Sequence, residues 1–367
     1  MMALGDQIAA EQAFKKFSLR EPEARTPGRF TRLVRRLGFR EREAEIRRCL
    51  DLVCAESLRP GAGWSSLNAD GTPVQFALSL IEGRRPSFEF VGEAFQTGME
   101  YSARRESGLE RMTRLAGAIG ATPELEPVRQ PLEALAHGGA AGDGEDPAGA
   151  FWIGASFEPE GAASMTVHAN ARRGPEDSRW NRLAEFAGSV AEAEWGRIFA
   201  VAQAGTLKPL GAGVRITGHG RLHARVYFGA YGVTPQDYRR MFREAGAPEP
   251  FDRALAVFFE ATLKAESAFP THSAVFSFGS NGDGAWSPKL ELCGHCAWNS
   301  DCEAEARCGT WLERLGMEAD VYRDVIRILT GDRDSRGSTC VHTYVGVGMR
   351  RDQLYASIYL NPGRGDL

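Results

Sequence analysis

The chain has 367 residues, 43% hydrophobic and 25% charged, the balance of a globular protein; wholesale disorder and collagen-like structure are excluded. Its 44 Lys and Arg against 48 Asp and Glu leave a net charge of −4, so the concentrated basic face that a nucleic-acid partner needs is missing. No apolar run reaches the roughly 18 residues of a membrane span. The opening residues lack a signal-peptide core, and the seven Cys are an odd count, so reduced thiols in the cytoplasm are the expectation.

In chain order, residues 28–54 place apolar positions at helical spacing among i,i+4 opposite charges and predict a helix. Pro73–Leu80 and Ser87–Ala94, joined through Glu82-Gly83-Arg84-Arg85, alternate with period two and predict a hairpin. A helix is expected near 97–118, and the low-complexity stretch 138–149 reads as a mobile surface loop. The second hairpin pairs Phe151–Phe157 with Ala163–Asn170, and a helix follows near 178–203. The third pairs Gly213–His219 with Arg221–Gly229. Helices near 235–246 and 252–267 come next, the first capped by Thr234 with Pro235 at N1, the second capped by Asp252. Ser273–Gly279 with Trp286–Cys293 is the fourth hairpin, helices follow near 303–315 and 318–330, and Thr339–Val347 with Gln353–Asn361 is the fifth.

Hairpins recur at roughly 60 to 75 residues with helices between them, which argues for one repetitive architecture and not separate domains. In the strand from Arg221, the residues Leu222, Ala224, Val226 and Phe228 share one face; His223, Arg225 and Tyr227 share the other. The interleaved helices are the natural cover for the apolar face. An open sheet would put the polar face in water, where Lys and Glu are usual. His, Arg, Tyr, Asn and Thr there favour ten antiparallel strands closed around a ligand-sized lumen. The expected fold class is α+β: a ten-stranded antiparallel barrel of five αββα-like units, helices outside. Residues 1–367 form a single domain, with 1–60 as N-terminal helices on the barrel.

Several local motifs add to this architecture. Asp70-Gly71-Thr72-Pro73-Val74-Gln75-Phe76 and Pro86-Ser87-Phe88-Glu89-Phe90-Val91-Gly92-Glu93-Ala94 open the first hairpin. His223-x-Arg225-x-Tyr227, Lys289-Leu-Glu-Leu-Cys293-Gly-His-Cys296 and Tyr355-x-x-x-Tyr359-Leu-Asn-Pro follow in order. Together, over roughly residues 60–363, they resemble the dimethylallyltryptophan-synthase type of aromatic prenyltransferase, the ABBA or PT-barrel family, in its bacterial branch. The resemblance implies metal-independent, cofactor-free transfer of a prenyl group. The donor would be an allylic diphosphate, and the acceptor an indole, a tryptophan derivative, a peptide or another arene. The chain departs from the family pattern in three places. Gln75 stands where the acidic base is expected, Glu89 where a diphosphate-binding Arg is expected, and Thr166 and His168 where a Lys-x-Tyr pair is expected.

The resemblance assigns diphosphate binding to Arg225 and Lys289, with His223, Arg215 and His168 as substitute donors. Tyr227, Tyr355, Tyr359 and Tyr344 would shield the allyl cation, and Gln75 would orient the acceptor. Glu89 or Glu291 could supply the carboxylate that Gln75 lacks. From the residues alone, Arg225 has two possible anionic partners, a wall carboxylate (Glu89 or Glu291) or a ligand phosphate. His168, His219, His223 and His342 all fall in the lumen register, where hydrogen bonding is the simpler reading than metal binding. Cys293, Cys296, Cys302 and Cys308 have the spacing C-x2-C-x5-C-x5-C; four thiolates could hold zinc or an iron–sulfur cluster, but the second pair lacks a tight C-x2-C chelate, and isolated buried thiols with no metal are the expectation. Two other functions fit the same barrel: a different acid–base reaction, or binding of a small molecule or peptide without catalysis. The sequence sets no oligomeric state.

Overall fold

Ten strands form where period-two alternation occurs. They are β1 (Val74–Leu80), β2 (Ser87–Glu93), β3 (Phe151–Phe157), β4 (Ser164–Asn170), β5 (Lys208–Thr217), β6 (Leu222–Gly229), β7 (Ala274–Ser280), β8 (Trp286–Cys293), β9 (His342–Arg350) and β10 (Gln353–Leu360). This computed structural model describes residues 28–54, 57–58, 65, 67–68, 70–93, 99–137, 149–190, 195–205, 207–217, 222–229, 232–263, 274–280, 286–331, 341–350 and 352–363. The expected loop at 138–149, apart from Gly149, and His219 lie outside those residues. Each strand pairs antiparallel with its sequence neighbours, and β1 pairs β10 with Phe76 opposite Leu360, so the sheet closes into a barrel. Closure leaves no edge strand.

The helices are α1 (Arg29–Arg36), α2 (Glu43–Cys54), α3 (Tyr101–Ile119), α4 (Thr122–His137), α5 (Glu176–Val190), α6 (Trp195–Ala204), α7 (Pro235–Glu244), α8 (Glu249–Thr262), the single turn α9 (Gly294–Ala297), α10 (Asp301–Arg314) and α11 (Ala319–Thr330). Several expectations are corrected here. The helix expected over 28–54 is two, because Gly38 takes φ 82° between them. The one expected over 178–203 divides into α5 and α6. α4 was not foreseen: Pro127 and Pro131 lie inside it and each removes an N–H from the helix ladder. It holds because Leu125, Val128, Leu132, Leu135 and Ala136 bury a continuous face. Asp252 is not a cap: α8 starts at Glu249, and Asp252 instead accepts two hydrogen bonds from Arg239 at 2.9 and 2.6 Å. The cap at Thr234 does form, reciprocally with Asp237.

The core lies between barrel and helices. Ala224, Val226 and Phe228 of β6 are buried, Trp180 of α5 stacks on Phe228 at 5.5 Å, and Phe242 of α7 packs on Phe276 at 4.3 Å. Among the described residues no helix is long and apolar enough to cross a membrane.

Candidate active site

The polar faces of the strands enclose a cavity of about 660 Å³. Arg84 and Arg85 of the first hairpin turn and Glu158 and Glu160 of the second line it too, so it opens at the hairpin-turn end. Of the expected residues, Glu89, His168, Arg215, His223, Arg225, Tyr227, Lys289, Tyr355 and Tyr359 all line it. They come from β2, β4, β5, β6, β8 and β10, and only closure of the sheet gathers them. Gln75, Glu291 and Tyr344 are not in its wall; each lies farther along its strand from the hairpin turns. There Gln75 Nε2 donates to Thr343 Oγ1 at 2.6 Å, and Tyr344 sets its ring edge-on to Tyr359 at 6.4 Å.

The two carboxylates expected in the lumen, Glu89 and Glu291, are already partnered. Arg215 donates to Glu89 across β3 and β4, over the short side chains Ser156, Ser164 and Thr166. Burial works against the Arg215 charge, but Glu89 and Glu158 outweigh it and hold the guanidinium above its ordinary pKa. Lys289 Nζ lies 2.8 Å from Glu291 Oε1 and 2.6 Å from Tyr359 Oη, and 4.8 Å from the centroid of the Tyr359 ring. Burial pushes the Glu291 carboxyl up, and the Lys289 charge brings it back below the usual range.

Arg225 is different. It donates to Ser277 Oγ at 3.1 Å and Ser287 Oγ at 2.7 Å, and no described carboxylate pairs with it. The alternative of an ion pair with Glu89 or Glu291 is therefore not what the structure shows. Arg350, at the end of β9, is a further cavity cation that the sequence reading missed, since it ended that strand at Val347; it lies 3.6 Å from Glu158. The Arg215 charge, with burial second, depresses its pKa. Burial alone would raise the Tyr355 phenol, yet Arg225, Lys289 and Arg350 hold it below its ordinary 10.0. The region around Tyr355 is thus strongly electropositive.

His168 is buried enough that its pKa falls to about 4, so it stands neutral near pH 7 and cannot serve as a cation for phosphate. Its ring lies 5.5 Å from that of Tyr227, whose own phenol burial drives upward. His342, expected in the lumen, is on the helix side. The register shifts between Tyr359 and Leu360, which adds Thr343 to β9 and sets His342 opposite the outward-facing Leu360. There its Nδ1 meets Asp301 at 2.8 Å and its Nε2 meets Tyr322 at 2.7 Å.

The four cysteines sit on β8, α9 and α10. Cys308 is buried against Tyr322 and Cys302 lies on α10, while a contact with Cys293 lowers the thiol pKa of Cys296. Among the described residues no three His, Cys, Asp or Glu gather for a metal ion.

No protein-family model and no curated protein matches this sequence. Solved structures do match it over nearly its whole length. 5-Dimethylallyltryptophan synthase from Streptomyces coelicolor superposes with a TM-score of 0.78 at 20% identity, over 94% of this chain and 100% of that one. The prenyltransferase PriB, in a ternary complex with L-tryptophan and dimethylallyl thiolodiphosphate, gives 0.76 at 18% identity, over 93% and 96%. 6-Dimethylallyltryptophan synthase from Micromonospora olivasterospora gives 0.76 at 17% identity, over 92% and 96%.

Proposed function

We propose that this chain, which has the ten-stranded PT-barrel fold of those aromatic prenyltransferases, is itself one: it moves an allylic group from its diphosphate to an indole, tryptophan-like or other electron-rich aromatic acceptor. The observation that carries the reading is Arg225, a lumen guanidinium held by two serine hydroxyls and by no carboxylate among the described residues, in a wall shared with Lys289, Arg350 and Tyr355. Arg225 is half-buried, and a cation drawn partly out of water without an anionic partner is favoured when a ligand supplies the opposite charge. The lumen also holds three tyrosine rings, which suit a carbocation better than a stable anionic ligand alone.

Each wall has a task in that chemistry. Arg225, Lys289 and Arg350 stabilise the charge that builds on the diphosphate as its C–O bond breaks, and His223 adds a donor from the same strand as Arg225. Tyr227, Tyr355 and Tyr359 present ring faces to the allyl cation and exclude water. Gln75 donates to Thr343 beyond the cavity wall and so stands back from the acceptor ring. The Arg215–Glu89 pair is a neutral brace of the cavity wall and not a diphosphate ligand. The chain's own cations carry the leaving group, so turnover proceeds without added divalent metal and without a cofactor. One barrel domain acts as the catalytic unit, and the free thiols of the described cysteines suit a reducing cytoplasm. The test is to incubate the purified protein with dimethylallyl diphosphate and L-tryptophan in chelator and to follow diphosphate and prenylated product. Product in chelator supports the assignment. No diphosphate release with this acceptor or with a panel of indoles and phenols rejects it.

A further inference from the structure

Aromatic substitution must dispose of a proton, and Gln75, an amide bonded to Thr343 beyond the cavity wall, has no basic atom for it. Glu291 and Glu89 are each tied to a cation. Glu158 and Glu160 belong to the second hairpin turn at the mouth; deeper in the wall His168 has an available lone pair. Among the described residues neither ring nitrogen of His168 has a hydrogen-bond partner, although the ring is in the cavity wall. Its Nδ1 and the Tyr227 hydroxyl converge over Gly213, where an added Cβ would lie 2.8 Å and 3.2 Å from them, so glycine keeps that approach clear.

We propose that His168 is the catalytic base that removes the ring proton from the prenylated intermediate, an inference that rests on the prenyl-transfer reading above. The allylic C–O bond breaks and its electron pair leaves with diphosphate. An aromatic carbon gives its π pair to the allylic carbon, and the new C–C bond leaves a cationic ring. His168 takes the proton from that carbon, the C–H pair restores aromaticity, and the imidazolium formed stands in the same lumen as the departing diphosphate, to which it passes the proton.

The surroundings suit transient protonation. Glu89 of β2 and Glu291 of β8 favour the imidazolium; Arg215 of β5 and Lys289 of β8 oppose it; Tyr227 of β6 packs on the ring. Burial dominates and keeps the resting imidazole neutral, its pKa about 4. The base is therefore in its accepting form throughout the neutral range, and no limb from its titration appears above pH 5.

The test uses the full chain, dimethylallyl diphosphate and tryptophan carrying deuterium at the prenylated ring carbon. In the parent protein, loss of the ring proton follows a slower ionisation, and the deuterium effect on kcat is near unity. In His168→Asn proton removal becomes slow. The expected result is a fall in kcat of at least about tenfold, general-base contributions being typically 10²–10⁴. A primary deuterium effect above about 2 should emerge with it, and diphosphate release should outrun ring prenylation as cation is lost to water. His168→Ala with added imidazole is the second variant, and recovery of rate as imidazole rises supports the base. Unchanged kcat per folded molecule, or a raised KM with a deuterium effect still at unity, overturns it. If the parent protein shows no turnover with any acceptor, prenyl transfer falls first and this role falls with it. Turnover that is indifferent to His168 rejects the base alone.

Discussion

Replacing Arg225 with Ala removes two N–H donors and one positive charge from the electropositive wall. The loss strikes the transition state, because charge on diphosphate is greatest as the C–O bond opens. Deleting one such preorganised donor typically costs about 2.7–4 kcal/mol, or roughly 10²–10³ in rate. The folded state is little affected. Ser277 Oγ keeps the Lys289 carbonyl at 3.2 Å and Ser287 Oγ keeps the Met349 carbonyl at 2.7 Å, so neither hydroxyl is orphaned. No carboxylate loses a partner, so the stability cost stays near 1 kcal/mol, the ordinary scale of a point change. The expected result is turnover reduced at least about a hundredfold with the melting temperature within a few degrees of the parent; Arg225→Lys, which keeps a point charge, loses less. Diphosphate release per folded molecule, with folding followed by circular dichroism, measures both. Unchanged turnover, or a large drop in melting temperature with turnover per folded molecule intact, would refute the reasoning and return Arg225 to a structural role.

The opposite balance is expected at Arg215. Arg215→Ala strands Glu89, and breaking a buried pair costs about 3–5 kcal/mol; with the two side chains 23% and 13% exposed, the urea midpoint should report the low end or less. Adding Glu89→Gln should recover much of that. The Tyr355 phenol is held below its ordinary 10.0 by Arg225, Lys289 and Arg350, and its anion would repel the donor. The alkaline fall of kcat/KM should therefore begin below pH 10 and move upward in Arg225→Ala, as stopped assays across pH 8–11 will show. Burial works against the Asp301 carboxylate, but hydrogen bonds from His342 and Val341 hold its pKa below 3.8, so its stabilisation is present above that pH and lost as pH falls through the folded value. Asp301→Asn should lower stability near neutral pH by a few kcal/mol and flatten part of the acid unfolding curve, with turnover per folded molecule unchanged.

The barrel was legible because its signal is local: each strand alternates, each turn carries Gly, Pro or Asp, and a helix must cover each apolar face. What escaped the sequence were interruptions to local pattern. Pro127 and Pro131 hid α4, although its buried stripe was present. The bulge near Thr343 reversed the side on which His342 falls, and parity counting cannot see an inserted residue. Arg350 was missed because the expected strand stopped at Val347, while β9 runs on to Arg350. Partner choice was the least legible property. The sequence put Arg215, Arg225, Lys289, Glu89 and Glu291 in one lumen, but which cation meets which acid depends on the relative heights of strands far apart in the chain. Nothing in the spacing told that Glu89 would take Arg215 and Glu291 would take Lys289, leaving Arg225 to two serines.

That partition also bears on the departures at Gln75 and Glu89. An acid at the position of Glu89 would repel diphosphate if it were alone, but Arg215 cancels it within the wall, and the pair adds no net charge to the lumen. Among the described lumen residues Arg225 is then the cation with no acid beside it, while Arg350 lies 3.6 Å from Glu158 and Lys289 is shared between Glu291 and Tyr359. The facing strand makes room for them. Gly348 lies opposite Tyr355 so closely that any Cβ there would run into the ring, so glycine leaves the phenol its place over β9. The opposing acid is thus silenced by a structural pair, and the charge left over is concentrated around the tyrosines that must face the cation. A lumen can hold both acids and bases and still be, at its reacting centre, a site for an anion that leaves.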